Sequence, residues 1–297
     1  MEISTETETV KFASADSLLM ETNALISLPE VCLKLREVIA NTAHSRNDIA
    51  DIIIHDPALT ARILKIANSA YYGLSQSVRD ISHALSILGE RELNNLVIVT
   101  SIVKTMKSVA SALDINSFWR SSIFTAVMAK NLAKHVGCND ENVEEFFISG
   151  LLLNIGKLLL YYCEPELLKV VQDEMRESGR LDYEVEKEML GFDHANVGAA
   201  MAKAWNFPPQ FSVRISSHHQ NFSKESSTEE SIMFSAAYLS DQLHFKFPSQ
   251  LSLDDLEFIE AGFMKKLQLS EEQFCLIVNN SYEGYLQAFE ALCGAQE

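Results

Sequence analysis

Glycine and proline are scarce in this chain, at 11 and 6 of 297 residues. That is about half of the roughly 12% the two usually contribute. It leaves too few turns for an all-β sandwich or barrel, which needs one roughly every 8–12 residues. Positive charge is scarce too: 24 Lys and Arg face 41 Asp and Glu, a formal net charge of −17 with histidine neutral. Phosphate backbones are bound by basic side chains that release counterions, so a general nucleic-acid-binding role is excluded unless a basic patch is segregated. The five cysteines, Cys32, Cys138, Cys163, Cys275 and Cys293, show no C-x-x-C spacing, which excludes a disulfide framework and a zinc knuckle. No uncharged apolar run is long enough to span a bilayer; the best, GLLLNIGKLLLYYC, is interrupted by Asn154 and Lys157. The first sixteen residues lack the basic start and apolar stretch of a secretory signal, and residues 1–17 read as a disordered acidic tail. These absences lead us to expect a cytoplasmic protein with neither membrane nor nucleic acid as a partner.

Two catalytic signatures are missing as well. Neither G-x-S-x-G nor G-x-x-x-x-G-K-[ST] occurs, so there is no nucleophile elbow and no phosphate-cradling loop. The one glycine-lysine pair, Gly156-Lys157, lacks the upstream glycine and the hydroxyl residue that a P-loop requires.

What is present is helical. Hydrophobic residues make up 47% of the chain, recurring at helical spacing between segments punctuated by helix-cap chemistry. Ser45 with Asp48 forms a capping-box pattern, and Asp56-Pro57 supplies an N-cap followed by proline at the first helical position. Gly73 is placed to end that helix. Ile81, Ala84, Leu85 and Leu88 fall on one face, Gly89 closes the turn, and a more buried helix starts at Glu90. Further helices are predicted to start near Ser117, Asp140, Pro165, Asp182, Asp193 and Pro209, with stops at Gly137, Gly179 and Gly191. Residues 220–230 read as a surface loop. Three more helices follow, with Ser252/Asp255 and Ser270/Gln273 as possible capping boxes.

Several stretches invite functional readings. The segment NDIADIIIHDPALTARILKIANSAYYG has the outline of a helix-turn-helix, but its second helix offers only Arg62 and Lys65 among apolar residues, which suits core packing better than base readout. Eight histidines are present. His44, His83 and His135 have no ligand-like neighbours at helical spacing. His194, His218, His219 and Asp241 fall on successive predicted helices and can converge in a bundle. The competing account is that these histidines serve helix ends through dipole and hydrogen-bond interactions.

Taken together, the motifs resemble the HD-related output domain (HDOD) family of bacterial signalling proteins, over about residues 18–245. The resemblance is carried by LPEVCLKLREVIA (28–40), HDPALTARILKIANSAYYG (55–73), ISHALSILGERELNNLVI (81–98), FWRSSIFTAVMAKNLA (118–133), SGLLLNIGKLLL (149–160) and GFDHANVGAAMAKAWNFPPQFSVRISSHH (191–219). It implies an all-α protein: an N-terminal helical subdomain (18–110) packed on a degenerate HD-type bundle (117–245), with a C-terminal helical extension (246–297).

Active HD phosphohydrolases hold metal with a histidine on one helix and a His-Asp pair on the next. By this resemblance Ser121 or Ser122 stands in the first position, and Leu153 and Asn154 stand in the pair. Leucine cannot ligate, and a neutral amide lacks the charge that holds a hard or borderline cation. His194-Ala-Asn-Val-Gly198 and His218-His219 are similar to the H-x-x-x-G and paired histidines of the HD-GYP cyclic-di-GMP phosphodiesterases. Gln220 departs from that pattern, and the GYP loop is absent. We therefore expect a non-catalytic regulatory scaffold that contacts other signalling proteins and carries no cofactor. The alternative is a metal-dependent phosphohydrolase built on His194, His218, His219 and Asp241. Lys157 and Arg120 are candidate contacts should the pocket bind a nucleotide second messenger.

Overall fold

The computed structural model describes residues 12–22, 29–69, 72, 74–107, 113–219, 226–243 and 261–293. Among them are fifteen helices and no strand. The first group is α1 (Ala15–Glu21), α2 (Glu30–Ala40), α3 (Arg46–Ile54), α4 (Pro57–Ala67) and α5 (Ile81–Lys107), the last broken at Gly89, where φ is +85°. Then come α6 (Ile115–His135), α7 (Asp140–Leu152), α8 (Ile155–Cys163), α9 (Pro165–Ser178), α10 (Asp182–Leu190), α11 (His194–Ala204), α12 (Pro209–Ser217), α13 (Thr228–Leu243), α14 (Ala261–Lys266) and α15 (Glu271–Cys293).

Local chemistry sets most of these boundaries. Ser45 and Asp48 form the expected reciprocal cap, and the Asp56 carboxylate accepts from Leu59 N at 2.9 Å. Gly137, Gly179 and Gly191 sit at positive φ where helices stop, a conformation that costs glycine little. Ser270 and Gln273 also cap each other reciprocally. Helix α4 ends at Ala67 rather than running on towards Gly73, because the Asn68 side chain donates to Leu64 O and Val78 O and turns the chain there. Gly73 and the Ser252/Asp255 pair lie outside the described residues.

The tail reading reaches too far. Phe12, Ala15, Leu18 and Leu19 are buried, Ser14 and Ser17 cap α1 reciprocally, and α1 packs on α11. Residues 1–11 lie outside the described residues. The predicted loop at 220–230 already enters α13 at Thr228.

The second half is built around α6, nearly all of whose faces are covered: α7, α13 and α15 pack against it. Helices α8, α11 and α12 form a second layer. In the first half α3 and α4 pack on α5, and α15 reaches back to α4. Arg36 of α2 joins the halves, lying over the Phe207 ring and donating to the Trp205 carbonyl. By length and composition residues 142–163 could cross a membrane, but most of that stretch is buried inside the protein. It is a core segment of the bundle.

Candidate functional site

The site starts from a glycine. Gly156, in the first turn of α8, lets that helix lie backbone to backbone against α11: a Cβ at this position would stand 2.0 Å from His194 O and 2.6 Å from Gly198 N. Asp193 caps α11 and places His194 at its first position, fully buried. Glu186 of α10, also fully buried, faces it. One of its oxygens accepts from His194 N at 2.8 Å and contacts His194 Nδ1 at 2.6 Å; the other accepts from the Tyr161 hydroxyl. A buried carboxylate is costly unless its lone pairs are satisfied, and three donors satisfy this one.

The Glu186 contact fixes the imidazole. With Nδ1–H directed at the carboxylate, His194 turns the lone pair of Nε2 the other way, where His219 Nε2 lies at 2.7 Å. His218 follows the same logic: its Nδ1 sits 2.6 Å from the Ile215 carbonyl, and its Nε2 is buried without a partner. His219 is in turn stacked on Tyr183, ring centroids 4.1 Å apart. Each of His194, His218 and His219 offers a ring nitrogen within 4.8 Å of the other two.

Beside the imidazoles lies an ion pair. Lys157 Nζ is 2.6 Å from Asp182, both side chains only 18% exposed. Burial disfavours the ammonium, but Asp182, Asp241 and Glu186 outweigh that and raise its pKa. For Asp182 burial is likewise outweighed, by Lys157 and then His194, and its pKa falls. Asp241 is exposed to solvent, close enough to Lys157 and Asp182 to interact with both charges. Burial lowers His218 to about 3, and it lowers His219 further. Both rings are therefore neutral near pH 7, as metal ligands must be.

The structure thus brings together His194, His218, His219 and Lys157, and places Asp241 near them. Asp241 joins neither set of residues whose ligating atoms cluster within 4.8 Å; its place is taken by Asp182 and Glu186, which form such a set with His194. Arg120 is not recruited: its guanidinium lies over the Phe289 ring of α15. At the other predicted positions Leu153 is buried in the core, Asn154 Oδ1 is buried with no partner, Ser121 is bonded to Ser240 at 2.7 Å, and Ser122 is buried. Sequence reasoning missed Tyr161, Asp182, Tyr183 and Glu186. The available signal was the i, i+4 spacing of Asp182 and Glu186 just before Asp193-His194, which puts both carboxylates on one helix face.

The residues suit one metal ion, and they do not suit a bridged metal pair. Three imidazoles, two of them with their second nitrogens directed at Glu186 and the Ile215 carbonyl, are a donor set for a single borderline cation. A bridging carboxylate is missing at Leu153-Asn154.

Layers of helices with no strand among the described residues, shared with the solved structures below, make this an HD-type helical fold. Within that class the chain belongs to the HDOD family, whose model matches residues 25–221. A candidate phosphohydrolase from Shewanella amazonensis SB2B is 25% identical, with a TM-score of 0.75 over 94% of this chain and 99% of that one. An HDOD protein of unknown function from Geobacter sulfurreducens is 21% identical, with a TM-score of 0.70 over 93% and 98%. A Treponema pallidum (strain Nichols) protein of unassigned function is 29% identical over 217 residues, 73% of this chain. The match spans only 41% of that relative's length.

Proposed function

We propose that this chain is a non-catalytic HDOD signalling module that works through protein–protein contacts in the cytoplasm. One observation carries the reading: where a hydrolase needs a metal-bound His-Asp pair, the chain has the buried side chain of Leu153 and the amide of Asn154. Without a bridged pair there is no means of activating water in the manner of two-metal hydrolases. The −17 charge suits a basic protein partner, with electrostatics raising the encounter rate and an apolar patch supplying affinity. The test is hydrolysis of cyclic dinucleotides and generic phosphoesters with manganese, iron or magnesium added. Turnover that disappears in His194→Ala would overturn the proposal.

A second reading, a phosphohydrolase with an atypical site, is favoured by the convergence of His194, His218 and His219. Those three side chains would hold the ion, which would supply Lewis-acid polarisation of a phosphoryl oxygen. Glu186 and the Ile215 carbonyl would orient two of the rings. This reading requires stoichiometric metal in the purified protein, and elemental analysis finding none removes it.

A further inference from the structure

A second buried polar cluster, sharing no residue with the histidine site, lies where α5 of the first half packs on α7 of the second. Glu92 of α5 accepts from the Tyr72 hydroxyl through Oε1, while its Oε2 is buried with no donor. Glu144 of α7 lies against it and is held by Lys130 of α6 at 2.7 Å. Lys130 is only 8% exposed, and its ammonium lies 5.9 Å and 5.5 Å from the centroids of the Tyr72 and Phe147 rings. When all three groups are ionised, two carboxylates and one ammonium leave the cluster one negative charge in excess. We propose that Glu92, Glu144 and Lys130 form a proton-dependent latch between the two helical halves, closed when Glu92 carries a proton and loosened when it ionises.

The open position at Glu92 Oε2 is the first support. Buried polar atoms are almost always satisfied, and an ionised carboxylate has no proton to offer another. A proton on Glu92 turns its contact with Glu144 from a repulsion into a hydrogen bond. The surrounding charges are engaged elsewhere. On α5 itself Glu90 is held by His44 and Arg46, and Arg91 is exposed. On α4 Lys65 donates to the Glu290 carbonyl, and Arg62 lies a turn beyond Ile66, the residue that packs against Leu96. Lys130 is the cation facing the pair, and Glu144 already holds it.

The electrostatics agree with this geometry. Burial, and then the charge of Glu144, raise the Glu92 pKa to about 7. A raised carboxyl pKa favours the closed state below the ordinary value near 4.5, and that preference is lost as pH rises through about 7. The seam also has room to widen. Tyr72 and Phe147, the rings around Lys130, line an apolar crevice together with Ile66 of α4, Leu96 and Val99 of α5 and Leu292 of α15.

The test uses the full chain with carbon-13-labelled methyl groups and a neutral, soluble nitroxide, whose effect on methyl relaxation reads how far solvent reaches each group. Leu96 and Val99, 4% and 1% exposed, report on the crevice, and Leu158 of α8, 1% exposed, is the reference. A carboxyl that titrates near 7 in the closed seam and near 4.5 in the open one makes opening about tenfold more favourable at pH 8 than at pH 6. The nitroxide effect on Leu96 and Val99 should rise by that factor in wild type while Leu158 stays unchanged. In Glu92→Gln, whose amide donates to Glu144 without titrating, it should keep its pH 6 level throughout. Glu144→Gln removes the like charge and should move the rise to lower pH. A wild-type response that is flat with pH, one that Glu92→Gln reproduces, or one that Leu158 shares would overturn the proposal. Should Glu92→Gln not fold, an unshifted midpoint in Glu144→Gln overturns it equally.

Discussion

Replacing Gly156 by alanine tests whether the site depends on backbone contact between α8 and α11. The added Cβ would have to move from 2.0 Å to at least 3.0 Å from the His194 carbonyl, and it would also press on Gly198 N at 2.6 Å. Neither neighbour is the end of a flexible side chain, so the two helices must part by about 1 Å. A gap of that size forfeits roughly a quarter to a half of each dispersion contact it opens. Overpacking alone costs about 1–3 kcal/mol and more where backbone is the obstacle, against about 1 kcal/mol gained from alanine's helix propensity. We expect a net loss of about 3 kcal/mol or more, a large share of a typical stability of about 5–15 kcal/mol. Gly198→Ala is the internal control: its nearest obstacle is the Ile215 Cγ2 methyl at 3.0 Å, a side-chain atom. It should change stability by no more than about 1 kcal/mol once the propensity gain is counted. Urea melts read both variants as shifts in midpoint at constant slope. A Gly156→Ala midpoint close to that of Gly198→Ala would refute the reasoning, because the contact distances would then not govern the crossing.

Other expectations follow from the buried polar groups. Glu186→Ala strands the Tyr161 hydroxyl and two donors of His194, and should cost about 3 kcal/mol or more in the same melts. Glu92 is pushed up to about 7, chiefly by burial and then by the charge of Glu144. A raised carboxyl pKa contributes stability that is full below the unfolded value near 4.5 and is lost as pH rises through about 7. Glu92→Gln should therefore match wild type near pH 5 and exceed it by roughly 1–3 kcal/mol at pH 8; a constant difference across that range would contradict this. Asp56→Ala removes an N-cap and should cost about 1 kcal/mol, read by thermal melting.

The fold was legible where local chemistry decides. Ser45, Asp56, Asp193, Gly179 and Gly191 set helix ends in the way their sequence neighbours suggest. Where a side chain acts at a distance, linear reasoning fell short. Asn68 ends α4 by donating to Val78 O ten residues on, and nothing in the local pattern announces that bond. α1 was hidden because its cap uses serine at both positions instead of a glutamate or glutamine at the second. The candidate site divides along the same line. His194, His218 and His219 stand out as a motif, whereas Glu186 looks like any residue of a charged helix until the fold buries it against Tyr161 and His194. Arg120 shows the converse, a cation near a suggestive helix whose partner, Phe289, comes from far along the chain.

Helix α15 packs on both α4 and α6, and Lys65 of α4 donates to the Glu290 carbonyl 225 residues away. Contacts of such separation are assembled only after the intervening chain has been organised, because the loop-closure entropy must be met before they form. The two helical halves are consequently tied into one cooperative unit by their most distant segment. Hydrogen exchange in α4 should then be governed by the same opening as exchange in α6, and a chain cut before Glu271 should expose α4 to solvent even though none of its own residues has changed.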